Sequence, residues 1–460
     1  MTRVSAFLAA CLALAGCVSY DEGAAEAVSA LSGGDGQTAV RWSEEVAEDS
    51  RSEALGTVES ARVNMLLGKM DVAEQRFRKA IDAAIDHKEK DPVIKLGDMA
   101  GTALASTVTD DWSIEYYLSP YEINLALEYG ILAQLFAGKR DDALVDARLA
   151  CYVQDKLADE YGATLQKLKD SVEGKDAGAR GGEVGRIVGE RNAELNEMIA
   201  ATRNSWENPV LWWLTGVLFE ADGNWESAKQ SYRRAGTTGA GNPFFEADMN
   251  RCDSGGVTPS AGRAKLVVVM DDGFVPRRAA LKIPLRIYAT MSIDLPTYMN
   301  VGAYQPKAVA IAGSKGLTSA AVGLNVRSLA ARALSDAMPG IVMRNITRAA
   351  VNAGIQVAGR AAYKANGKSD GAAVILLTAE LVNLFMVMSR EADTRTWVTL
   401  PDAQYVWCDS DMQPGSYELN VEIAGVANKV PVTLEAGETK LLWVGNCGKF
   451  RHQLTTLGKH

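Results

Sequence analysis

The sequence predicts an α+β protein: a helical repeat array followed by a mixed α/β half that ends in a small β-sandwich-like segment. Three observations predict it. From about Trp42 to Arg251 apolar residues recur at helical spacing, punctuated by glycine turns at Gly68, Gly138 and Gly223. After Cys252 the texture changes, with Ser254-Gly255-Gly256-Val257-Thr258-Pro259-Ser260 as a linker and strand-like runs beyond it. Between Thr396 and Val444 short alternating segments are separated by the turns Pro414-Gly415-Ser416 and Ala436-Gly437-Glu438. With 460 residues, 47% hydrophobic and 23% charged, the chain has apolar material for two or three cores.

Residues 1–17 have the layout of a secretory leader: Arg3 as a sparse basic start, an apolar run from Val4 to Ala15, then small residues. Leu14-Ala15-Gly16-Cys17 resembles the lipobox of bacterial lipoproteins. The resemblance implies that Cys17 is lipidated and becomes the mature N-terminus; a plain signal with an incidental cysteine is the other reading. Val18 after that cysteine, in place of Asp, points by analogy to an outer membrane facing the periplasm. Residues 18–40 are small and polar and read as a flexible tether between lipid and domain.

The formal charge of −9 becomes one unit more negative when Arg3 leaves with the leader. Such a balance argues against nucleic acid, and against docking on an anionic membrane by charge, since both need a basic surface. Export leaves Cys151, Cys252, Cys408 and Cys447 in a compartment that permits disulfides. Cys408 and Cys447 share the C-terminal β-rich segment and are the candidate bridge, with buried free thiols as the alternative.

The helical region spans 41–252. Trp212, Gly216, Phe219, Gly223, Ala228, Tyr232 and Ala235 stand at the offsets of a tetratricopeptide repeat, which this unit resembles. Partial copies precede it: Gly68, Ala73, Phe77 and Ala80, then Gly138, Ala143, Ala147 and Ala150. Ala73, Ala143 and Ala228 lie 70 and 85 residues apart, far above the tandem period of about 34. The units are therefore interrupted by other elements. Between the first two, Trp112, Tyr116, Tyr117 and Tyr121 form an aromatic cluster. It either lines a partner groove or packs the insertion onto the repeats. The glycine-rich stretch Val172–Gly189 lacks a preceding strand and the phosphate-loop order, and reads as a flexible connection.

Beyond the linker at 253–262, residues 263–402 predict a β-hairpin of Lys265–Met270 and Ala280–Tyr288 around Asp271-Asp272-Gly273. A strand at Lys307–Ala312 follows, then a helix at Val326–Asn366 broken at Pro339-Gly340. An apolar helix at Ala372–Arg390 carries Glu380 and Asn383 mid-run, which favours a buried element over a membrane span. Residues 403–450 resemble a PEGA-type β module through the Pro-Gly-Ser-Tyr turn and Val432-Thr433-Leu434-x-x-Gly437. Residues 451–460 read as a tail.

The mature chain as a whole resembles a family of uncharacterised bacterial lipoproteins with tetratricopeptide-like N-terminal halves. Ser119-Pro120-Tyr121-Glu122, Asp272-Gly273 with Pro276 and Ile283-Pro284-Leu285, Met338-Pro339, and above all Glu391-Ala392-Asp393-Thr394-Arg395-Thr396-Trp397 with Thr399-Leu400-Pro401 carry it. The resemblance implies an envelope location, and association with lipoproteins of the peptidoglycan-synthase-activator type, but no reaction. From the residues themselves, Glu391 to Trp397 reads as ion pairs fixing a helix-to-strand corner.

His87, His452 and His460 are the only histidines, one in a charged stretch and two in the tail. No HExxH or CxxC occurs. We therefore expect no catalytic residue, no metal and no cofactor. The expected function is a lipid-anchored scaffold or adaptor that holds envelope proteins on its helices. A peptidoglycan-active hydrolase is the alternative, because paired carboxylates need not be close in sequence.

Overall fold

The computed structural model describes residues 20–86, 93–94, 112, 114–173, 178–286, 292–314, 316–365 and 392–459. The lipobox with Cys17 and the apolar run at 372–390 lie outside them. Among the described residues there are eleven helices and thirteen strands, with the helices concentrated before residue 254.

The expected tether is in fact two helices, α1 (Tyr20–Gly33) and α2 (Gly36–Glu48). Alanine-rich sequence has the strongest helix propensity, and Ala24, Ala27 and Leu31 make a buried stripe at i, i+3, i+7. The carboxylate of Asp35 caps α2 by accepting from the Gln37 and Thr38 amides. Small alanines bury a helix face as effectively as larger residues where the neighbouring surface comes close, which low bulk in the sequence does not reveal.

α3 (Glu53–Leu66) and α4 (Met70–Ala84) form a hairpin, followed by the two-residue antiparallel pair β1 (Ile85–Asp86) and β2 (Val93–Ile94). α5 (Pro120–Phe136) and α6 (Arg140–Glu173) form the second hairpin. α7 (Gly178–Ile199) then occupies most of the glycine-rich stretch expected to be a flexible connection, with Val184 and Ile187 buried. α8 (Pro209–Ala221) and α9 (Trp225–Thr238) form the third hairpin, and α10 (Pro243–Asp253) closes the helical half.

The three hairpins turn identically. Gly68, Gly138 and Gly223 have φ of +78°, +76° and +76°, and the amide that follows each bonds the carbonyl five residues back. Those bonds are Lys69 to Asn64, Lys139 to Gln134 and Asn224 to Phe219, at 2.8–2.9 Å. In the third hairpin Gly216 faces Tyr232 so closely that a Cβ there would lie 2.7 Å from the ring. The missing side chain sets the helix separation.

Three sheets follow. β3 (Ala264–Asp272) leads to the antiparallel pair β4 (Ala279–Pro284) and β5 (Ser292–Thr297). β6 (Val309–Gly313), β7 (Gly316–Ser319) and β8 (Ala321–Leu324) precede the long helix α11 (Val326–Ala365). β9 (Ala403–Met412), β10 (Gly415–Ile423), β11 (Val426–Leu434), β12 (Glu438–Cys447) and β13 (Lys449–Lys459) complete the chain. One five-stranded sheet has the order β13-β12-β3-β9-β8, in which β12 and β3 are parallel. A four-stranded antiparallel sheet has the order β11-β10-β6-β7.

The five-stranded sheet is the middle layer. Val267 and Val269 of β3, Val406 of β9, and Leu441 and Trp443 of β12 join the helical core. Their neighbours Leu266, Val268, Met270, Tyr405, Trp407, Leu442 and Val444 point the other way and join Leu419, Val421, Val430 and Val432 of the smaller sheet. Side chains alternate across a strand, so a strand covered on both faces is apolar throughout, and β3 is buried along its whole length.

Several expectations change here. β3 does not form a hairpin with the segment after it: its two flanks are taken by β9 and β12, while β4 pairs with β5. Two-sided burial was the decisive property, and a turn signal does not encode it. The linker is tied down, since the Thr258 amide and hydroxyl both donate to Glu220. The boundary drawn at 402/403 runs through one sheet, and the PEGA-like strands divide between two. The tail is β13, joined to β12 by Gly448. Helix α11 is continuous through Pro339, with Met338 and Val342 buried beside it.

Cys408 and Cys447 are free thiols. They sit on β9 and β12 with β3 between them, two strand spacings apart or about 9.5 Å. Cys408 is level with Val267, and so is Leu441, six residues short of Cys447. No bridge can span that separation.

Candidate functional site

Polar groups are buried where the helices meet the sheet, and Asp271 is their hub. Its two oxygens accept from Arg62 Nη2 at 2.6 Å, Trp443 Nε1 at 2.8 Å, Gln404 Nε2 at 2.9 Å and the Tyr129 hydroxyl at 3.0 Å. Arg62 and Asp271 are fully buried, and the guanidinium lies 4.2 Å from the Tyr129 ring centroid. Gln404 also donates to Glu128, which accepts from Asn208, the N-cap of α8. Helices α3, α5 and α8 are thereby joined to the three central strands. Asp272, one residue on, faces the opposite way and accepts from the Tyr304 hydroxyl, Lys307 Nζ and Asn446 Nδ2.

Two further clusters flank this hub. Glu220 accepts from Arg251 Nη1 at 2.6 Å, from the Tyr232 hydroxyl at 2.7 Å and from Lys265 Nζ at 2.9 Å, pinning the third hairpin to β3. Glu59 accepts from the Val398 and Thr399 amides and the Thr399 hydroxyl, pinning α3 to the segment before β9. In the acidic motif Arg395 pairs with Asp393 at 2.8 Å and Trp397 is fully buried, although β9 begins only at Ala403. Asp271, Glu220 and Glu59 are each answered by donors from other elements. Such an arrangement ties the elements to one another through buried hydrogen bonds.

The electrostatics of these groups have opposite signs. Burial pushes the Glu59 carboxyl up to about 8, against the pull of its Thr399 and Val398 hydrogen bonds. Burial likewise pushes Glu128 up to about 7. Burial works in the same direction on Glu220, but Lys265 and Arg251 overcome it and hold the group down to about 2. A raised carboxyl binds its proton more tightly in the folded chain, so its stabilisation is lost as pH rises from about 4.5 through the folded value. Glu220 contributes above about 4.5 and loses that contribution toward pH 2. Urea midpoints should therefore fall from pH 5 to pH 8, and Glu59→Gln should flatten that decline. An unchanged slope in the variant would remove Glu59 as a cause.

One open feature of the helical half is a groove of about 440 Å³ between α6 and α9, floored by α8. Arg148, Cys151 and Asp155 project from one face of α6 at i, i+3, i+7. Ser227, Gln230 and Arg234 do the same on α9, with Arg233 beside them. Trp212 and Phe219 of α8 form an apolar floor. Arg234 crosses the mouth to Asp155 at 2.6 Å and lies 5.7 Å from the Trp212 ring centroid. Arg233 pairs with Asp253 at 2.7 Å. Arg148 donates at 3.4 Å to Leu144 of its own helix.

The aromatic candidates for partner binding fall elsewhere. Tyr116 and Tyr121 are buried and direct their hydroxyls at Glu122. Trp112 donates its indole N–H to the Ala392 carbonyl, under the Arg395 guanidinium. Tyr117 alone of the four is exposed. Tyr116 and Tyr121 pack around a buried glutamate, so these two are core residues and not a docking surface. The groove residues are not distinguishable in the sequence, because arginines on helix exteriors look alike there. The available signal was the matching i, i+3, i+7 spacing on the second helices of two hairpins.

Among the described residues no group of His, Cys, Asp or Glu is placed to hold a metal ion, and no helix is long and apolar enough to cross a membrane. Comparison of the chain with family models, with curated proteins and with solved structures returned no match.

Proposed function

We propose that this protein is an envelope lipoprotein, anchored through Cys17 and facing the periplasm, that acts as a scaffold by holding a partner protein on tetratricopeptide-like helical hairpins. The observation that carries the reading is the groove between α6 and α9, with an apolar floor and a charged rim on a rigid support. Three hairpins with one turn geometry support the repeat-like description. Glycoside-cleaving chemistry would call for two carboxylates open to a cleft. Asp271, Glu128 and Glu220 are instead buried and saturated with donors, which favours the scaffold.

A photo-reactive residue at Gln230 tests this in intact cells of the native host. The expected result is a cross-link to a specific envelope protein, identified by mass spectrometry and lost in Cys17→Ala, which leaves the fold intact but unanchored. Absence of any adduct from Gln230 in cells that make the protein would overturn the reading. Retention of the adduct in Cys17→Ala would show that the anchor is dispensable.

A further inference from the structure

Resting on the scaffold reading, we infer that the groove between α6 and α9 takes an acidic segment of its partner, with an apolar side chain on the Trp212–Phe219 floor. Charge is the first reason. Three arginines line the groove against Asp155 and the Asp253 that pairs with Arg233, a net positive spot in a chain whose net charge is −9. A local basic site on an acidic molecule steers acidic partners to that spot and repels the rest of the surface from them.

The second reason is the occupant already there. Asp155 reaches across from α6 and places its carboxylate 2.6 Å from Nη2 of Arg234, whose guanidinium lies over the Trp212 ring. It stands where a partner's carboxylate would stand. The two side chains are 51% and 56% exposed, and an ion pair so open to water contributes little to stability. A ligand carboxylate can therefore displace Asp155 at little cost. Arg148, on the same face of α6 as Asp155, offers a second contact for the incoming acid.

The test uses the full-length chain in detergent and two fluorescein-labelled peptides, (Glu-Leu-Ser)4 and (Lys-Leu-Ser)4, followed by anisotropy. The acidic peptide should bind and the basic one should not. Arg234→Glu and Arg148→Glu should each weaken binding at least tenfold, with unchanged circular dichroism melts. Asp155→Asn should tighten it several-fold by freeing Arg234, which a merely structural ion pair would not do. Arg148 makes no contact across the groove, so its variant serves if Arg234→Glu fails to fold. Equal binding of the two peptides, binding of neither, or weakening by Asp155→Asn would overturn the inference. A cross-link at Gln230 in cells together with any of those outcomes leaves the scaffold standing and removes only the acidic partner; no cross-link removes the scaffold itself.

Discussion

Asp271→Ala should destabilise the protein by about 3–5 kcal/mol, because it leaves the Arg62 guanidinium buried without a counter-charge. The same substitution strips the acceptor from Tyr129, Gln404 and Trp443, three groups on three different elements. Urea unfolding at fixed pH measures the loss as a shift in midpoint. The double variant Arg62→Met with Asp271→Leu should recover only the part due to the unpaired guanidinium, since Tyr129, Gln404 and Trp443 still lack their acceptor. If Asp271→Ala alone costs under about 1 kcal/mol, the pair is not the hub described above.

Trp397→Ala should cost a similar amount, about 3–5 kcal/mol, through the cavity it leaves. Trp397 is fully buried, with its ring centroid 6.2 Å from that of Phe77 on α4 and 6.3 Å from that of Tyr129 on α5. Its amide donates to Glu122 and its indole N–H to the Thr399 hydroxyl. One side chain thus locks the segment before β9 onto two hairpins. Trp397→Phe should lose far less, because the aromatic contacts survive while one hydrogen bond disappears. Equal losses in the two variants would mean that the hydrogen bond outweighs the packing.

The two effects share a cause. Both residues act across the seam between helices and sheet, where the partners are hundreds of positions apart in sequence: Arg62 with Asp271, and Glu59 with Thr399. A polar residue in a helix pattern reads as solvent-facing, and nothing local marks it as half of a buried pair. The acidic motif was legible as an ion-paired corner around Trp397 because Asp393 and Arg395 are neighbours. Groove residues were half legible, in that helical spacing gives their faces but not which two faces oppose each other.

What the sequence determined by itself was local. Glycine at 68, 138 and 223 accepts the left-handed conformation that ends a helix without steric cost, so a glycine after each apolar helical run made the three hairpin turns legible. Gly216 opposite Tyr232 and the alternating strands of residues 415–434 were equally readable, since spacing of 3.6 or 2 residues fixes which side chains share a face. Tertiary structure decided the rest. It placed β3 between β9 and β12 instead of against its neighbour, drew residues 20–40 and 451–459 into the fold, and kept Cys408 apart from Cys447. It also brought Asp155 against Arg234. The physical reason is that apolar surface is buried wherever the whole chain offers a matching face, and that match is made between segments no short stretch of sequence can see together.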